Sequence, residues 1–215
     1  MSKIKKLIAL TLALAMVLSV SAFAGYSADT YADADKINGD CEDAIELLYA
    51  LDIMKGDDKG NFRPEATITR AEVAKMIYVI LNYGDDDKAV NYTGANIFSD
   101  VVKGAWYEGY VNYMAMTKLV QGRPDGTFGP NDPVTTAEAA KMLLTAIGYS
   151  AENRGYTGAG WQKNVYADAL TAGIYAGTET YGACTRDTAA RMALGALLAK
   201  VVVYGDAAVN GTYYW

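Results

Sequence analysis

An internal repeat constrains the fold of this chain more than any other feature. The segment GDDKGNFRPEATITRAEVAKM, residues 56–76, returns as GRPDGTFGPNDPVTTAEAAKM, residues 122–142. A shorter third copy, CTRDTAARM at 184–192, keeps the second half but has lost the Gly-x-Phe-x-Pro turn. One unit of this size is too small to bury its own apolar surface, so we expect the copies to share a core.

Each copy predicts two helices joined by a glycine-rich turn. After the Thr-x-x-Glu start, apolar residues recur at intervals of three and four, which is the spacing of one apolar helix face. The equivalent methionines on this face, which we expect to be buried, are Met76, Met142 and Met192. A further helix precedes each turn and is expected to end at a glycine, namely Gly56, Gly122 or Gly177.

The first residues predict a signal peptide. Lys3, Lys5 and Lys6 precede an apolar run, and Ala22 and Ala24 fit a small-x-small cleavage site, so residues 1–24 are expected to be removed on secretion. The alternative is a membrane anchor; after cleavage we expect no transmembrane segment. Without these three lysines, 16 of the 19 basic residues remain against 25 acidic ones, a net charge of −9. This balance argues against a nucleic-acid partner.

Arg70 occupies a position where a helix disfavours a cation. Thr69 and Glu72 form a capping box, in which each side chain bonds the other residue's N–H, but Arg70 adds nothing to the cap and opposes the helix dipole. Unpaired N–H groups at a helix start favour an anion, and an adjacent arginine would complete a carboxylate site. The alternative is a surface ion pair with a nearby acid, Asp57, Asp58 or Glu65. Arg186 repeats the position in the third copy, whereas the second has Thr136.

These elements resemble the S-layer homology module. The resemblance rests on G-x-x-x-G-x-F-x-P followed by ITRAE, and on FSDVVKGAWYEGYVNYMAMTKLVQG at 98–122, and it covers residues 33–203. It implies an all-α, pseudo-three-fold bundle of three helix-turn-helix motifs. The expected divisions are a signal peptide at 1–24, a lead-in at 25–39, motif 1 at 40–84, a connector at 85–97, motif 2 at 98–148, a degenerate motif 3 at 149–203 and a tail at 204–215.

The resemblance also implies a non-catalytic module that attaches secreted proteins to the bacterial cell wall. The implied ligand is a secondary cell-wall polysaccharide carrying pyruvyl ketals, with peptidoglycan as the alternative. Such ligands lie between motifs, and the arginine of the TRAE element is a key contact. This assigns ligand binding to Arg70 and Arg186, flanked by Thr69 and Glu72. Trp106 and Trp161 are candidates to stack on sugars, or else are core residues.

No catalytic, metal or cofactor site is predicted. The chain contains no histidine, and GDDKGN lacks the ligand spacing of an EF-hand. Two alternatives remain open: a polysaccharide hydrolase with two facing carboxylates, and a structural S-layer component. Whether the module belongs to a longer protein or binds a separate protein cargo also stays open.

Two further expectations concern single residues. Cys41 and Cys184 either pair, as an oxidising compartment permits, or remain as buried thiols. Replacing Arg70 by alanine should leave the fold intact, because the cap formed by Thr69 and Glu72 would survive.

Overall fold

The computed structural model describes residues 27–176 and 182–204, together with the backbone of residues 212–214. The α-helices are α1 (Glu42–Ala50), α2 (Arg70–Leu81), α3 (Glu108–Met116), α4 (Thr136–Ala146), α5 (Trp161–Thr171) and α6 (Arg186–Leu198). Short 3-10 helices cover Ala28–Thr30, Ala34–Lys36, Gly39–Cys41 and Asp87–Tyr92, and strands β1 (Val202–Tyr204) and β2 (Thr212–Tyr214) pair antiparallel. The predicted signal peptide, Gly177 and most of the predicted tail lie outside the described residues.

Capping boxes fix where α2 and α4 begin, as the sequence predicts. The Thr69 hydroxyl accepts the Glu72 N–H at 3.2 Å, and the Glu72 carboxylate accepts the Thr69 N–H at 2.7 Å. Thr135 and Glu138 repeat this geometry at α4. In α6 a threonine, Thr188, replaces the glutamate, so the reciprocal box is absent there.

Three backbone hydrogen bonds join the starts of α2, α4 and α6 into a closed ring. The Ile68 N–H donates to the Cys184 carbonyl at 3.0 Å, Cys184 donates to Val134 at 2.9 Å, and Val134 donates to Ile68 at 3.0 Å. Each copy therefore contributes one donor and one acceptor to its two neighbours. This ring is the pseudo-three-fold element expected from the repeat.

The helices pair between motifs in a cyclic order. The second helix of each copy packs against the first helix of the next: α2 contacts α3, α4 contacts α5, and α6 returns to α1. Met76, Met142 and Met192 are all buried, as expected from their shared place on the helix face. The all-α prediction is confirmed, with β1 and β2 as a short addition. The expectation that the first helix of each copy ends at a glycine is wrong, because α1 ends at Ala50 and α3 at Met116, well before Gly56 and Gly122.

The segment after α2, which the sequence predicts to be a polar connector, is packed onto the bundle. Its 3-10 helix, Asp87–Tyr92, lies against α3, where a Cβ atom at Gly109 would come within 2.1 Å of the Ala89 carbonyl oxygen. The buried Glu108 carboxylate accepts the Gly94 N–H at 2.7 Å and the Gly104 N–H at 2.8 Å. Glu108 thereby joins the connector, through Gly94, to the loop before its own helix, through Gly104.

Glu108 should make the stability of the fold depend on pH. The N–H groups of Gly104 and Gly94 lower the pKa of the Glu108 carboxyl. Its contribution is therefore complete above the unfolded-state pKa, about 4.3 for glutamate, and is lost as the pH falls through the folded-state pKa. We expect the difference in melting temperature between the parent and Glu108→Gln to be largest at neutral pH and to shrink in acid. The exposed Glu65→Gln is the control, and a difference that does not change with pH would contradict this role.

Gly195 is expected to be required by packing. Alanine is the better helix former by about 1 kcal/mol. However, a Cβ atom at this position in α6 would lie 2.4 Å from the Gly173 carbonyl oxygen and 2.8 Å from the Ile174 Cα. Overpacking against such fixed backbone atoms typically costs about 1–3 kcal/mol, so Gly195→Ala should lower the free energy of unfolding.

Urea denaturation measures this effect. Gly39→Ala is the matched control, since the nearest heavy atom to its added Cβ is 3.9 Å away. A Gly195→Ala variant as stable as the control would show that α6 can move away from the turn after α5 without loss of stability.

Candidate functional site

Arg70 binds the turn of the neighbouring motif. Its Nε donates to the Phe128 carbonyl at 2.8 Å, and its guanidinium carbon lies 4.8 Å from the centre of the Phe128 ring. Its Nη1 pairs with Glu138 at 3.5 Å, and only 11% of the side chain is exposed. The acids that sequence analysis offers as surface partners, Asp57, Asp58 and Glu65, are therefore not the partner of Arg70.

Arg186 repeats this arrangement on the turn of motif 1. Its Nε donates to the Phe62 carbonyl at 2.8 Å, its guanidinium carbon lies 5.1 Å from the Phe62 ring centre, and its Nη1 faces Glu72 at 3.8 Å. Its Nη2 also donates to the Lys55 carbonyl at 2.9 Å. Burial lowers the pKa of both Arg70 and Arg186, and the facing glutamate opposes that shift in each case.

The third equivalent interface has lost these polar partners together. Thr136 stands in the arginine position of α4, and Thr188 stands in the glutamate position of α6. The third turn, which has no Gly-x-Phe-x-Pro sequence, falls at residues 177–181 outside the described part of the chain. Arginine, glutamate and phenylalanine turn are thus present together at two interfaces, as expected of one structural unit.

The expectation of unpaired N–H groups at these helix starts is wrong. The Arg70 and Ala71 N–H groups donate to the Asp132 and Pro130 carbonyls, both at 3.0 Å. At α6, Arg186 and Asp187 donate in the same way to Ala66 and Pro64. The neighbouring turn uses these donors because the ring of motifs brings its carbonyl groups onto the helix end. An anion at either site must therefore bind through side chains.

Two aspartates that sequence analysis did not single out hold the other side of each turn. The Asp100 carboxylate accepts the Phe128 and Gly129 N–H groups, both at 2.7 Å. Asp33 does the same for Phe62 and Arg63, both at 2.8 Å. The aromatic residue two positions before each aspartate packs at a tilt against the phenylalanine of the turn. The repeated aromatic-x-Asp pattern, YAD and FSD, is the signal that could have found these aspartates.

Each buried arginine begins a row of charged and aromatic side chains that crosses from one motif to the next. The Arg70 row contains Arg70, Glu138, Lys141 and Trp161; the Lys141 ammonium lies 5.3 Å from the Trp161 ring centre. The Arg186 row contains Arg186, Glu72, Lys75, Tyr110 and Trp106. In this row the Lys75 ammonium lies 5.3 Å from the Tyr110 ring centre, and Trp106 lies 6.3 Å from Tyr110.

The two tryptophans end these rows in different environments. Trp106 is 54% exposed, which excludes the core alternative for this residue. Trp161 is half-buried and packs against the core. The structure therefore places the sequence-predicted site residues in two rows. Arg186 contacts Glu72 directly, whereas Trp106 and Trp161 are connected to the buried arginines only through the side chains between them. Thr69 remains a helix cap.

The polar residues beyond the rows have structural partners. Asp168, buried in α5, accepts from Arg154 and from the Tyr156 hydroxyl, which explains a polar residue on an apolar helix face. Cys41 and Cys184 are buried thiols that are not bonded to each other. Burial raises the pKa of Cys41 to about 11 and that of Cys184 to about 12, so neither is a ready nucleophile. Among the described residues, no cluster of three or more metal-binding side chains occurs.

Arg70→Ala is expected to destabilise the fold, contrary to the expectation from the sequence. The cap would survive, but the Phe128 carbonyl would lose a charged donor, and such losses cost about 1–3 kcal/mol. Chemical denaturation of the parent, Arg70→Ala and the exposed control Lys163→Ala measures this. If Arg70→Ala and Lys163→Ala are equally stable, the contact with Phe128 contributes nothing to folding.

Comparison with known proteins gives the family. The sequence profile of the S-layer homology domain matches residues 30–74 and 97–140, which contain the two intact turns. The chain is 34% identical over 153 residues to the "Middle cell wall protein" of Brevibacillus brevis, covering 70% of this chain and 14% of that protein. It is 32% identical to the "Surface layer protein" of Brevibacillus choshinensis, over 70% of this chain and 13% of that protein.

Enzymes also appear among the relatives. The chain is 32% identical over 173 residues to "Exoglucanase XynX" of Acetivibrio thermocellus, covering 73% of this chain and 15% of the enzyme. The chain thus spans less than one fifth of each of these relatives. No helix in the described residues has the length and apolar character needed to cross a bilayer. With its two matched motifs and helical bundle, the chain belongs to the S-layer homology family.

Proposed function

We propose that this chain is a non-catalytic module that anchors a protein to the bacterial cell wall. Its ligand is a secondary cell-wall polysaccharide that carries pyruvyl ketals, and its location is the cell surface. The names of the relatives, a cell wall protein and a surface layer protein, support the location. The observation that carries the proposal is the pair of arginine rows, each of which joins a fixed guanidinium to an aromatic side chain.

The rows match the chemistry of an acidic sugar. A guanidinium binds a carboxylate through paired N–H donors, while an aromatic ring packs against the apolar face of a sugar. In Arg70, Nε and Nη1 are used within the protein, while Nη2 has no hydrogen-bond partner among the described residues. Arg186 has Nη2 bound to Lys55, so its row offers fewer donors from the buried arginine.

Electrostatics supports a local site rather than general attraction. The chain has a net charge of −6, and a wall polymer with carboxylate groups is also negative. Binding must therefore depend on positions where cations are concentrated. Lys141 follows Arg70 in its row, which therefore carries two positive groups beside Glu138. Lys75 follows Arg186 in the other row, where it also pairs with Asp86 at 3.0 Å, so this row carries less excess positive charge.

The proposed ligand residues are those predicted from the sequence, with their roles refined. Arg70 and Arg186 provide the fixed cations, and Trp106 and Trp161 the stacking surfaces. Glu72 and Thr69 support the site, since Glu72 orients Arg186 and also completes the cap with Thr69. The relatives that are enzymes match this chain over a small part of their length, which supports an attachment role shared by proteins of different activity.

Binding to purified cell walls tests the proposal. The walls come from a Gram-positive bacterium whose secondary polysaccharide carries pyruvyl ketals. One portion is intact, one has lost the ketals in mild acid, and one has lost the whole polysaccharide. We expect the chain to co-sediment with the intact walls only.

The other outcomes identify the alternatives. Binding to stripped walls would favour peptidoglycan, and binding that survives ketal removal would exclude the carboxylate as the main contact. Release of reducing sugars from the walls would contradict a non-catalytic role. Ordered sheets of the chain alone in electron micrographs would favour a structural S-layer component.

Trp106→Ala is the cleanest test of the Arg186 row, since this side chain is exposed and its loss should not disturb the core. We expect wall binding to weaken by about 0.5–1.5 kcal/mol, the range for an aromatic contact beyond its buried area. Met116→Ala removes a similarly exposed apolar side chain outside both rows and should bind like the parent. Equal binding by both variants would remove Trp106 from the site.

A further inference from the structure

A second arginine lies near each buried arginine, and it comes from a different sequence position in each of the two copies. In motif 2, Arg123 follows Gly122, and its guanidinium folds across Gly129, the residue after Phe128. A Cβ atom at Gly129 would lie 2.6 Å from Nη2 and 2.7 Å from the guanidinium carbon of Arg123. The Arg123 guanidinium therefore lies beside Gly129, the residue next to the Phe128 carbonyl that accepts from Arg70 at 2.8 Å.

In motif 1 the residue after the phenylalanine is itself an arginine. Arg63 follows Phe62, whose carbonyl Arg186 holds at 2.8 Å, and the position equivalent to Arg123 is occupied by Asp57. Thus Arg63 replaces Gly129, and Asp57 replaces Arg123. The sequence of each turn differs at both positions, yet an exposed guanidinium stays next to the phenylalanine in both.

In motif 1 the backbone conformation at position 63 favours glycine over arginine. Gly129 has a φ of +73°, a conformation suited to glycine, and Arg63 has a φ of +59° at the same position. A residue with a side chain is strained in this region by about 1 kcal/mol or more. Among the described residues, the exposed Arg63 side chain makes no hydrogen bond, and its charge makes only a small contribution to the lowered pKa of the nearby Asp57 carboxyl. Glycine would suit the turn better.

Each outer arginine also acts on the charge of its inner partner. Arg123 contributes to lowering the pKa of Arg70, and Arg63 contributes to lowering the pKa of Arg186, in both cases after the larger effect of burial. The carboxylates of Glu138 and Glu72 act in the opposite direction on Arg70 and Arg186. A ligand carboxylate that contacts both guanidinium groups of a pair would reduce their mutual repulsion further. Asp132 holds Arg123 at 2.6 Å, which orients its guanidinium at the turn.

We propose that Arg63 and Arg123 are the outer members of two arginine pairs, and that each pair holds one carboxylate of the wall polysaccharide together with Arg186 or Arg70. This proposal rests on the proposed function and adds to it the exposed arginine of each site. The buried arginine is fixed to the turn and offers its remaining N–H groups to the carboxylate. The outer arginine contacts the same carboxylate from the solvent side.

The test compares Arg63→Gly, Arg123→Ala and the double variant with the parent on intact pyruvylated walls. Each single variant should bind about threefold to tenfold more weakly, between the values for an exposed ion pair and for a charged hydrogen bond, and the double variant more weakly than either. Arg63→Gly should melt at or above the temperature of the parent, because glycine relieves the strained φ. Weaker binding with undiminished stability separates a ligand contact from a structural role.

Lys59→Ala is the matched control, since it removes one exposed positive charge from the same turn as Arg63. It should bind like the parent; a loss equal to that of Arg63→Gly would show general attraction and overturn the proposal. A second probe, a methyl glycoside bearing a pyruvyl ketal, should shift amide resonances of the turns in the parent, whereas its carboxyl methyl ester should not.

The binding of the parent and of the double variant separates the anchoring function from the role of the arginine pairs. If the parent does not bind intact walls, the proposed anchoring function is wrong. If the parent binds them and the double variant binds equally well, anchoring stands, and the arginine pairs are overturned as the site.

Discussion

The fold depends on the hydrogen bond that a buried arginine of one motif makes to a phenylalanine carbonyl in the turn of another. Arg70 reaches Phe128 and Arg186 reaches Phe62, each at 2.8 Å, and in each case a glutamate and the phenylalanine ring complete the enclosure. Aspartates hold the same turns from the opposite side. Each turn is therefore fixed by residues of two motifs, and this couples the motifs into one bundle.

This coupling means that binding and folding are not separate properties of the buried arginines. A guanidinium that is 11% exposed and already bonded inside the protein has little freedom, so it presents a rigid donor edge to solvent. Preorganisation of this kind favours binding, because the side chain loses no further conformational entropy when a ligand arrives. It also means that removing the arginine disturbs the turn, so the exposed residues around it report more directly on binding.

The three interfaces of the ring are not equivalent, although the backbone ring that joins them is regular. Two interfaces have the complete set of arginine, glutamate and phenylalanine turn, and the third has threonine at both polar positions. Backbone hydrogen bonds do not depend on side chains, which lets the ring tolerate this loss. A pseudo-symmetric bundle can therefore keep three-fold architecture while concentrating its charged sites between two pairs of motifs.

The sequence alone determined the presence of the helices, the starts of α2, α4 and α6, and the family. The apolar face of each helix and the Thr-x-x-Glu caps are local patterns, so the burial of Met76, Met142 and Met192 and the start of α2 at Arg70 follow from residues close in the chain. The arginine could be recognised as unusual for the same reason, since its conflict with the helix dipole is local.

Only the tertiary structure decided what that arginine contacts. Its partners Phe128 and Glu138 lie more than fifty positions away, and the same neighbouring turn accepts the N–H groups that the sequence left unpaired. The cyclic pairing of α6 with α1, and the exposure of Trp106 beside a half-buried Trp161, likewise depend on how the copies close into a ring. Such contacts join residues distant in the chain, and no local spacing specifies them.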